Sequence, residues 1–206
     1  MKTLLFGGTF DPPHRGHVQL LRHAISAVHP ERVVVIPAGV PPHKEAAATP
    51  PGLRYAMCAC FAPVFEGLVV SDMEITRPGK SYTLDTVRAL KKQYPGDDFY
   101  LSVGGDMVLS FTSWYHYREL LLEVSLVIQS RQEEEQALKT AVERLVAEGA
   151  RVLWAKGETQ AISSSAIREG IAEGKDLYSQ IPPPADRIAR ENGLYQKRTN
   201  EQTDRR

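Results

Sequence analysis

The stretch TLLFGGTFDPPHRGHVQLLRHAISAVHPERVVVIP, Thr3 to Pro37, decides how the rest of the chain is read. TLLF is a short apolar strand. HVQLLRHAISAV sets Val18, Leu21, Ile25 and Val28 on one helical face, at the spacing of an amphipathic helix. RVVVIP carries four consecutive β-branched residues, Val33 to Ile36, which suits a strand covered on both faces, as parallel strands are between two helical layers. Strand, helix and strand in that order make a βαβ unit with parallel strands and a right-handed crossover. The connection GGTFDPPHRGH, Gly7 to His17, is longer than the two to six residues such a turn normally takes, so it is expected to do more than turn the chain.

The alternation continues. LRYAMCACFA reads as helix and LVVSDMEI as strand. A turn at Pro78 and Gly79 precedes a helix that starts near Ser81 or Thr83, whose hydroxyls are candidate caps, with Leu84, Val87, Leu90 and Tyr94 as its apolar stripe. FYLSVGGD, SLVIQS and RVLWA supply further strands, with a charged helix, EEEQALKTAVERLVAEG, between the last two. ISSSAIREGIAEG and PADRIAREN close the chain as helices. The expected fold is α/β: a Rossmann-like, doubly wound, mostly parallel sheet of about six strands flanked by helices. One domain is expected over 1–197, its helical C-terminal part at about 162–197, followed by a disordered tail at 198–206 that has no apolar anchor.

Composition narrows the classes. The chain has 206 residues, 42% hydrophobic and 24% charged, with 25 basic side chains against 25 acidic ones. Zero net charge argues against a general nucleic-acid binder and makes any phosphate chemistry a local matter. No window approaches the roughly 20 apolar residues that span a bilayer, so no membrane partner is expected. Cys58 and Cys60, two apart in a helix, point in different directions and are not expected to bridge, and no further His or Cys ligands lie nearby for a metal; they are read as buried or half-buried thiols that suit a reducing, cytoplasmic setting.

Ligands of such sheets bind outside the carboxyl ends of the strands, where the first loop offers backbone N–H groups to phosphate. His14 and His17 stand there in the pattern H-x-G-H. An arbitrary histidine pair at a helix start is more often a cap or a packing contact. Here Gly7 and Gly8 allow a ligand close to the backbone, Gly16 removes a side chain between the imidazoles, and the helix N-terminus adds partial positive charge. Late in the chain, ISSSAIRE repeats the theme with Ser163, Ser164, Ser165 and Arg168. Serines at a helix start are often only caps, yet three of them with an arginine one turn in make a second anion site.

GGTFDPPHRGH and ISSSAIR resemble the two signature motifs of the nucleotidyltransferase superfamily that shares H-x-G-H with class I aminoacyl-tRNA synthetases. IPAGVPPHK, VSDMEITRPGKSYTLDTVRAL, VGGDMVLSFTSWYHYRELL and IPPPADRIARENGLY narrow the resemblance to the bacterial nicotinate mononucleotide adenylyltransferases, from about Leu4 to Tyr195. The resemblance implies adenylyl transfer from ATP to nicotinate mononucleotide, giving deamido-NAD and pyrophosphate in NAD biosynthesis. It implies Mg²⁺ arriving with ATP and no direct protein ligation of the metal. His14, His17, Lys44 and Arg168 are then the catalytic residues. ATP contacts are expected at Gly7, Gly8, Thr9, Phe10, His14, His17, Gly104, Asp106, Ile162, Ser163, Ser164, Ser165 and Arg168. Mononucleotide contacts are expected at Asp11, Lys44, Tyr82, Thr83, Trp114 and Tyr115, the aromatics against the pyridine ring and the Tyr82 and Thr83 amides toward its carboxylate.

Each role has a plainer alternative. Lys44 in a loop is ordinarily a surface lysine, Asp106 a cap, Trp114 and Tyr115 core aromatics. Asp11 is read equally as a turn residue and as a group that orients the histidines or a metal-bound water. The chain departs from the family's pattern in VIQSRQEEE, where V-x-x-R-P-G is usual, and in VGGD for the commoner G-A-D. Rival functions are transfer to nicotinamide mononucleotide or phosphopantetheine, a non-catalytic nucleotide sensor, and a dinucleotide oxidoreductase. The last lacks its G-x-G-x-x-G and has Ile36 and Pro37 where an acidic residue should end the second strand. The loop at 38–52 is a candidate lid, and a homo-oligomer is a possible assembly.

Overall fold

The structure is a computed structural model that describes residues 1–40, 49–129, 135–158 and 160–197. Six strands form one sheet: β1 (Lys2–Gly8), β2 (Arg32–Pro37), β3 (Val69–Val70), β4 (Asp98–Gly104), β5 (Ser125–Gln129) and β6 (Arg151–Ala155). Their order is β3-β2-β1-β4-β5-β6, and every pairing is parallel. The connecting helices are α1 (Arg15–Val28), α2 (Pro51–Met57), α3 (Met73–Thr76), α4 (Thr83–Gln93), α5 (Gly105–Leu109), α6 (Tyr117–Glu123) and α7 (Glu135–Ala147). After β6 come α8 (Ser164–Ala172) and α9 (Pro183–Glu191).

Alternate residues of each strand feed opposite layers, because side chains on a strand point in turn to the two faces. Leu4, Phe6, Val33 and Val35 meet α1 and the segment of α2 and its 3-10 extension, Cys58–Val64, together with Ile167, Ala185 and Ala189 from the C-terminal helices. Leu5, Val34 and Ile36 enter the other layer with Leu84, Val87 and Leu90 of α4 and Leu120 of α6. The unbroken apolar run of β2 is thus divided between two cores.

Two local expectations change. LVVSDMEI is not one strand: only Val69 and Val70 pair, at the sheet's edge, and Met73–Thr76 turns into α3. Asp72 O accepts from Ile75 and Thr76 N–H, so the helical turn takes the backbone groups a longer strand would need. Nor do hydroxyls cap α4. Tyr82 is its N-cap and contributes no side-chain bond, while Ser81 Oγ lies 3.5 Å from Glu74 O. The residues at 198–206 lie outside the described residues.

Candidate active site

From β1 the chain winds through β2 to β3 on one side, then crosses to β4 on the other side of β1. That reversal puts the topological switch point at the carboxyl ends of β1 and β4, where open parallel sheets bind ligands. Gly7 and Gly8, expected in the loop, are the last residues of β1, paired with Ile36 and Pro37. A Cβ on Gly7 would meet only Ile36 O at 4.0 Å, so this exposed strand end is open above. A Cβ on Gly8 would strike the Phe10 ring at 2.8 Å. Phe10 is 1% exposed at φ +50°, with its ring 5.2 Å from both Phe61 and His17.

His14 is the N-cap of α1, and it and His17 cap the helix reciprocally. The His17 N–H donates to His14 Nδ1 at 3.3 Å, and the His14 N–H donates to His17 Nδ1 at 3.2 Å. The rings stack with centroids 3.7 Å apart. A neutral imidazole that accepts at Nδ1 carries its proton on Nε2, so the reciprocal cap selects the tautomer of both rings. Capping and ligand binding therefore cease to be alternatives, since the cap engages one nitrogen of each ring and orients the other.

The start of α8 lies against this loop. Ser164 Oγ donates to Pro12 O at 2.9 Å, Arg168 Nη1 donates to Asp11 O at 2.7 Å, and the Gln160 N–H donates to Gln19 Oε1 at 3.1 Å. The three serines have separate tasks. Ser163 Oγ caps α8 by accepting from the Ala166 N–H at 3.1 Å, Ser164 ties the loop, and Ser165 Oγ accepts from Arg168 Nη2 at 3.3 Å. The hydroxyls of Ser163, Ser164 and Ser165 are thus each engaged within the protein, and two nitrogens of the Arg168 guanidinium are bonded to Asp11 O and Ser165 Oγ. Ile162 packs beside them against the core. Lys44 lies outside the described residues.

Sequence reasoning missed Arg54. It is 1% exposed, and its guanidinium donates to Thr9 O (2.8 Å), Ala38 O (2.7 Å), Gly39 O (3.3 Å) and Thr49 O (3.3 Å). One buried cation thus joins the loops after β1 and β2 to the segment that enters α2. Nothing in PGLRYAM marks it, because the acceptors are backbone carbonyls, three of the four from the loops after β1 and β2.

The expected pyridine-binding residues fall into two contacts. Tyr82, before α4, meets Tyr115 with ring centroids 4.3 Å apart, whereas Trp114 stacks on Phe111 at 4.8 Å. Thr83 opens α4, whose approach is pinned to the β2 loop by the Ser81 N–H donating to Val40 O at 2.9 Å. Below lies Glu74, whose carboxylate accepts from Thr86 Oγ1 at 2.7 Å; burial raises it above the usual carboxylate range, against the pull of Thr86 and Arg77. Asp106 is exposed in the first turn of α5, and its Oδ1 lies 2.8 Å from where a Cβ on Gly104 would be. No group of three His, Cys, Asp or Glu side chains that could hold a metal occurs among the described residues.

Residues 5–170 match the cytidylyltransferase-like family. A chain of Shouchella clausii named a probable nicotinate-nucleotide adenylyltransferase is 38% identical over 192 residues, covering 93% of this chain and 95% of that one. A chain of the same name from Geobacter sulfurreducens is 35% identical over 212 residues, covering 95% and 98%. Among solved structures, the Plasmodium falciparum nicotinic acid mononucleotide adenylyltransferase complexed with NaAD superposes with a TM-score of 0.76 over 95% of this chain and 98% of that one. Its 19% identity makes it a match of fold.

Proposed function

This chain belongs to the cytidylyltransferase-like family and, within it, to the nicotinate-nucleotide adenylyltransferases, and from that membership and its site we infer the reaction it runs. A phosphate oxygen of nicotinate mononucleotide attacks the α-phosphorus of ATP. The bond from that phosphorus to the bridging oxygen breaks, pyrophosphate leaves, and deamido-NAD forms as a step of NAD biosynthesis. The substrate brings its own nucleophile, so the enzyme needs none and works by alignment and charge stabilisation.

The observation that carries this reading is the meeting of two helix beginnings, α1 with its stacked histidines and α8 with Arg168, through Ser164 to Pro12 and Arg168 to Asp11. In it, His14 and His17 offer Nε2–H to the triphosphate and to charge growing at the α-phosphorus. Arg168 and the amides of Ser163 to Ser165 hold the β- and γ-phosphates, with Lys44 as a further phosphate contact. Gly7, Gly8, Thr9 and Phe10 form the floor, Gly104 and Asp106 the ribose side, and Ile162 the wall beside α8. Tyr82, Thr83, Trp114 and Tyr115 form the mononucleotide side; Asp11, expected with them, is buried with its carboxylate accepting from Tyr195 Oη at 2.8 Å, and serves to orient the loop that carries the histidines. The chain from 1 to 197 acts as one catalytic unit.

A divalent ion would arrive bound to the triphosphate; among the described residues no three His, Cys, Asp or Glu side chains are grouped to hold one. Phosphate oxygens and water would hold Mg²⁺, and a metal-bound water is the alternative to the ribose hydroxyls as the partner of Asp106. When bound, the ion neutralises phosphate charge and polarises the α-phosphorus. No helix among the described residues is long and apolar enough to cross a membrane. We place the reaction in the cytoplasm, where ATP and a reducing thiol pool coexist.

Purified protein with ATP, Mg²⁺ and each of nicotinate mononucleotide, nicotinamide mononucleotide and phosphopantetheine should release pyrophosphate chiefly with the first. Amide donors meet a carboxylate well and a carboxamide badly, which sets the preference. Equal or faster release with either other acceptor would overturn the substrate assignment.

A further inference from the structure

The loop between β1 and α1 is tied at nearly every step. Arg54 holds Thr9 O, Arg168 holds Asp11 O and Ser164 holds Pro12 O. The remaining tie is made by a residue beyond the last helix. Thr49 Oγ1 donates to Tyr195 Oη at 3.3 Å, and Tyr195 Oη donates to Asp11 Oδ1 at 2.8 Å. Asp11 and Thr49 are each 3% exposed and Tyr195 is half-buried, so water has little access to this chain. Burial drives the Tyr195 phenol upward, which keeps it a donor. Aligned donors ending on a carboxylate reinforce one another where the surroundings are dry.

The backbone of Tyr195 points the same way. It sits at φ +68°, in the left-handed region that side-chain-bearing residues seldom adopt, two residues after Gly193 at φ +57°. A second glycine would relieve the backbone there and lose the hydroxyl. Docking of the C-terminal segment does not need that hydroxyl, because Tyr178, Ile181, Ala185 and Ala189 already anchor it in the core.

We propose that Tyr195 is a positioning residue for adenylyl transfer: its hydroxyl fixes the Asp11 carboxylate, and with it the main chain that runs through Pro12 and Pro13 into His14. The inference rests on reading the histidine pair as the phosphate site. Tyr195 touches no substrate in this role. It acts through Asp11, and Thr49, whose carbonyl Arg54 holds, orients it from behind.

Tyr195→Phe removes one oxygen and keeps the ring. It should lower kcat roughly tenfold, the worth of one hydrogen bond to a charged acceptor. KM for ATP and for nicotinate mononucleotide should stay within about twofold, melting within a few degrees of the parent, and amide exchange over 9–17 should quicken. Thr49→Val, which shortens the same chain without touching Tyr195, should show a smaller effect of the same kind and keeps the test open if the first variant does not fold. The double variant should fall no further than Tyr195→Phe alone. Parental kcat and parental exchange in Tyr195→Phe would overturn the inference, as would losses that add in the double variant or merely follow the folded fraction. If the unmodified protein fails to use nicotinate mononucleotide, the functional reading falls, and exchange over 9–17 by itself decides whether Tyr195 braces the loop.

Discussion

Gly16 is the second residue of α1, and a methyl group there would lie 3.0 Å from His14 Nδ1 and 3.1 Å from its Cε1. The ring cannot yield cheaply. It is 4% exposed, stacked on His17 at 3.7 Å, and its Nδ1 receives the helix's capping N–H. Alanine favours a helix over glycine by roughly 0.5–1 kcal/mol, a gain that the displaced ring should cancel. Gly16→Ala should therefore melt within a few degrees of the parent while kcat drops at least roughly tenfold, or about 1.4 kcal/mol of barrier. Pyrophosphate release beside a thermal melt checks it, and full activity would show that the histidines do not need their present ring positions. The need for glycine between two imidazoles is legible in H-R-G-H, because neighbours along one helix start decide it. Arg54 and Tyr195 were not legible, since what each holds is fixed by segments that meet only after folding.

At the scale of elements, the strands and long helices follow from periodicity, because burial on two faces leaves a pattern that few loops imitate. The short elements do not. β3 pairs over two residues and α3 spans one turn, so neither is long enough to establish a period, and their tertiary partners decide between helix and strand. Glu74 shows what that costs and supplies a test. It sits in α3 against Gly39, Ser81 and Thr86, with Arg77 linked through Thr86 Oγ1 at 3.1 Å. Burial, the largest influence, raises its folded-state pKa above the ordinary 4.5. The folded chain then holds this proton more tightly than the unfolded one. Its contribution to stability is complete below about 4.5, fades as pH rises through the raised value, and is constant above it. Glu74→Gln cannot ionise, so its melting temperature relative to the parent should climb with pH across that window and then level off. Melts from acid to neutral pH measure the gap; a gap that narrows as pH rises would mean that Arg77 and the neighbouring donors outweigh burial.

Across the whole molecule, the two cores differ in what they join. One is filled by successive crossover helices, as the alternating sequence implies. The other takes α1, α2 and the Cys58–Val64 turn from the first half of the chain and closes over them with α8 and α9 from its end. That second arrangement brings Arg168 and Tyr195 to the opening loop, and it makes the C-terminal helices part of the site's foundation. The cysteines report on it. Cys58 is 0% and Cys60 5% exposed inside this core, neither is in a disulfide, and burial pushes Cys60 up to about 12 and Cys58 higher still. Since the thiolate is the reactive form, labelling by a thiol reagent near neutral pH must wait for the core to open. If α8 and α9 are integral, both cysteines should label at one rate, slower than in denatured protein by roughly a thousandfold or more. Mg·ATP should slow them further by mass action. Urea should accelerate labelling with the same dependence that it shows for loss of helical circular dichroism. A fast phase at Cys60 while the dichroism stays native would mean that the C-terminal helices lift away as a separate unit, and the hold of Tyr195 on Asp11 would then be intermittent.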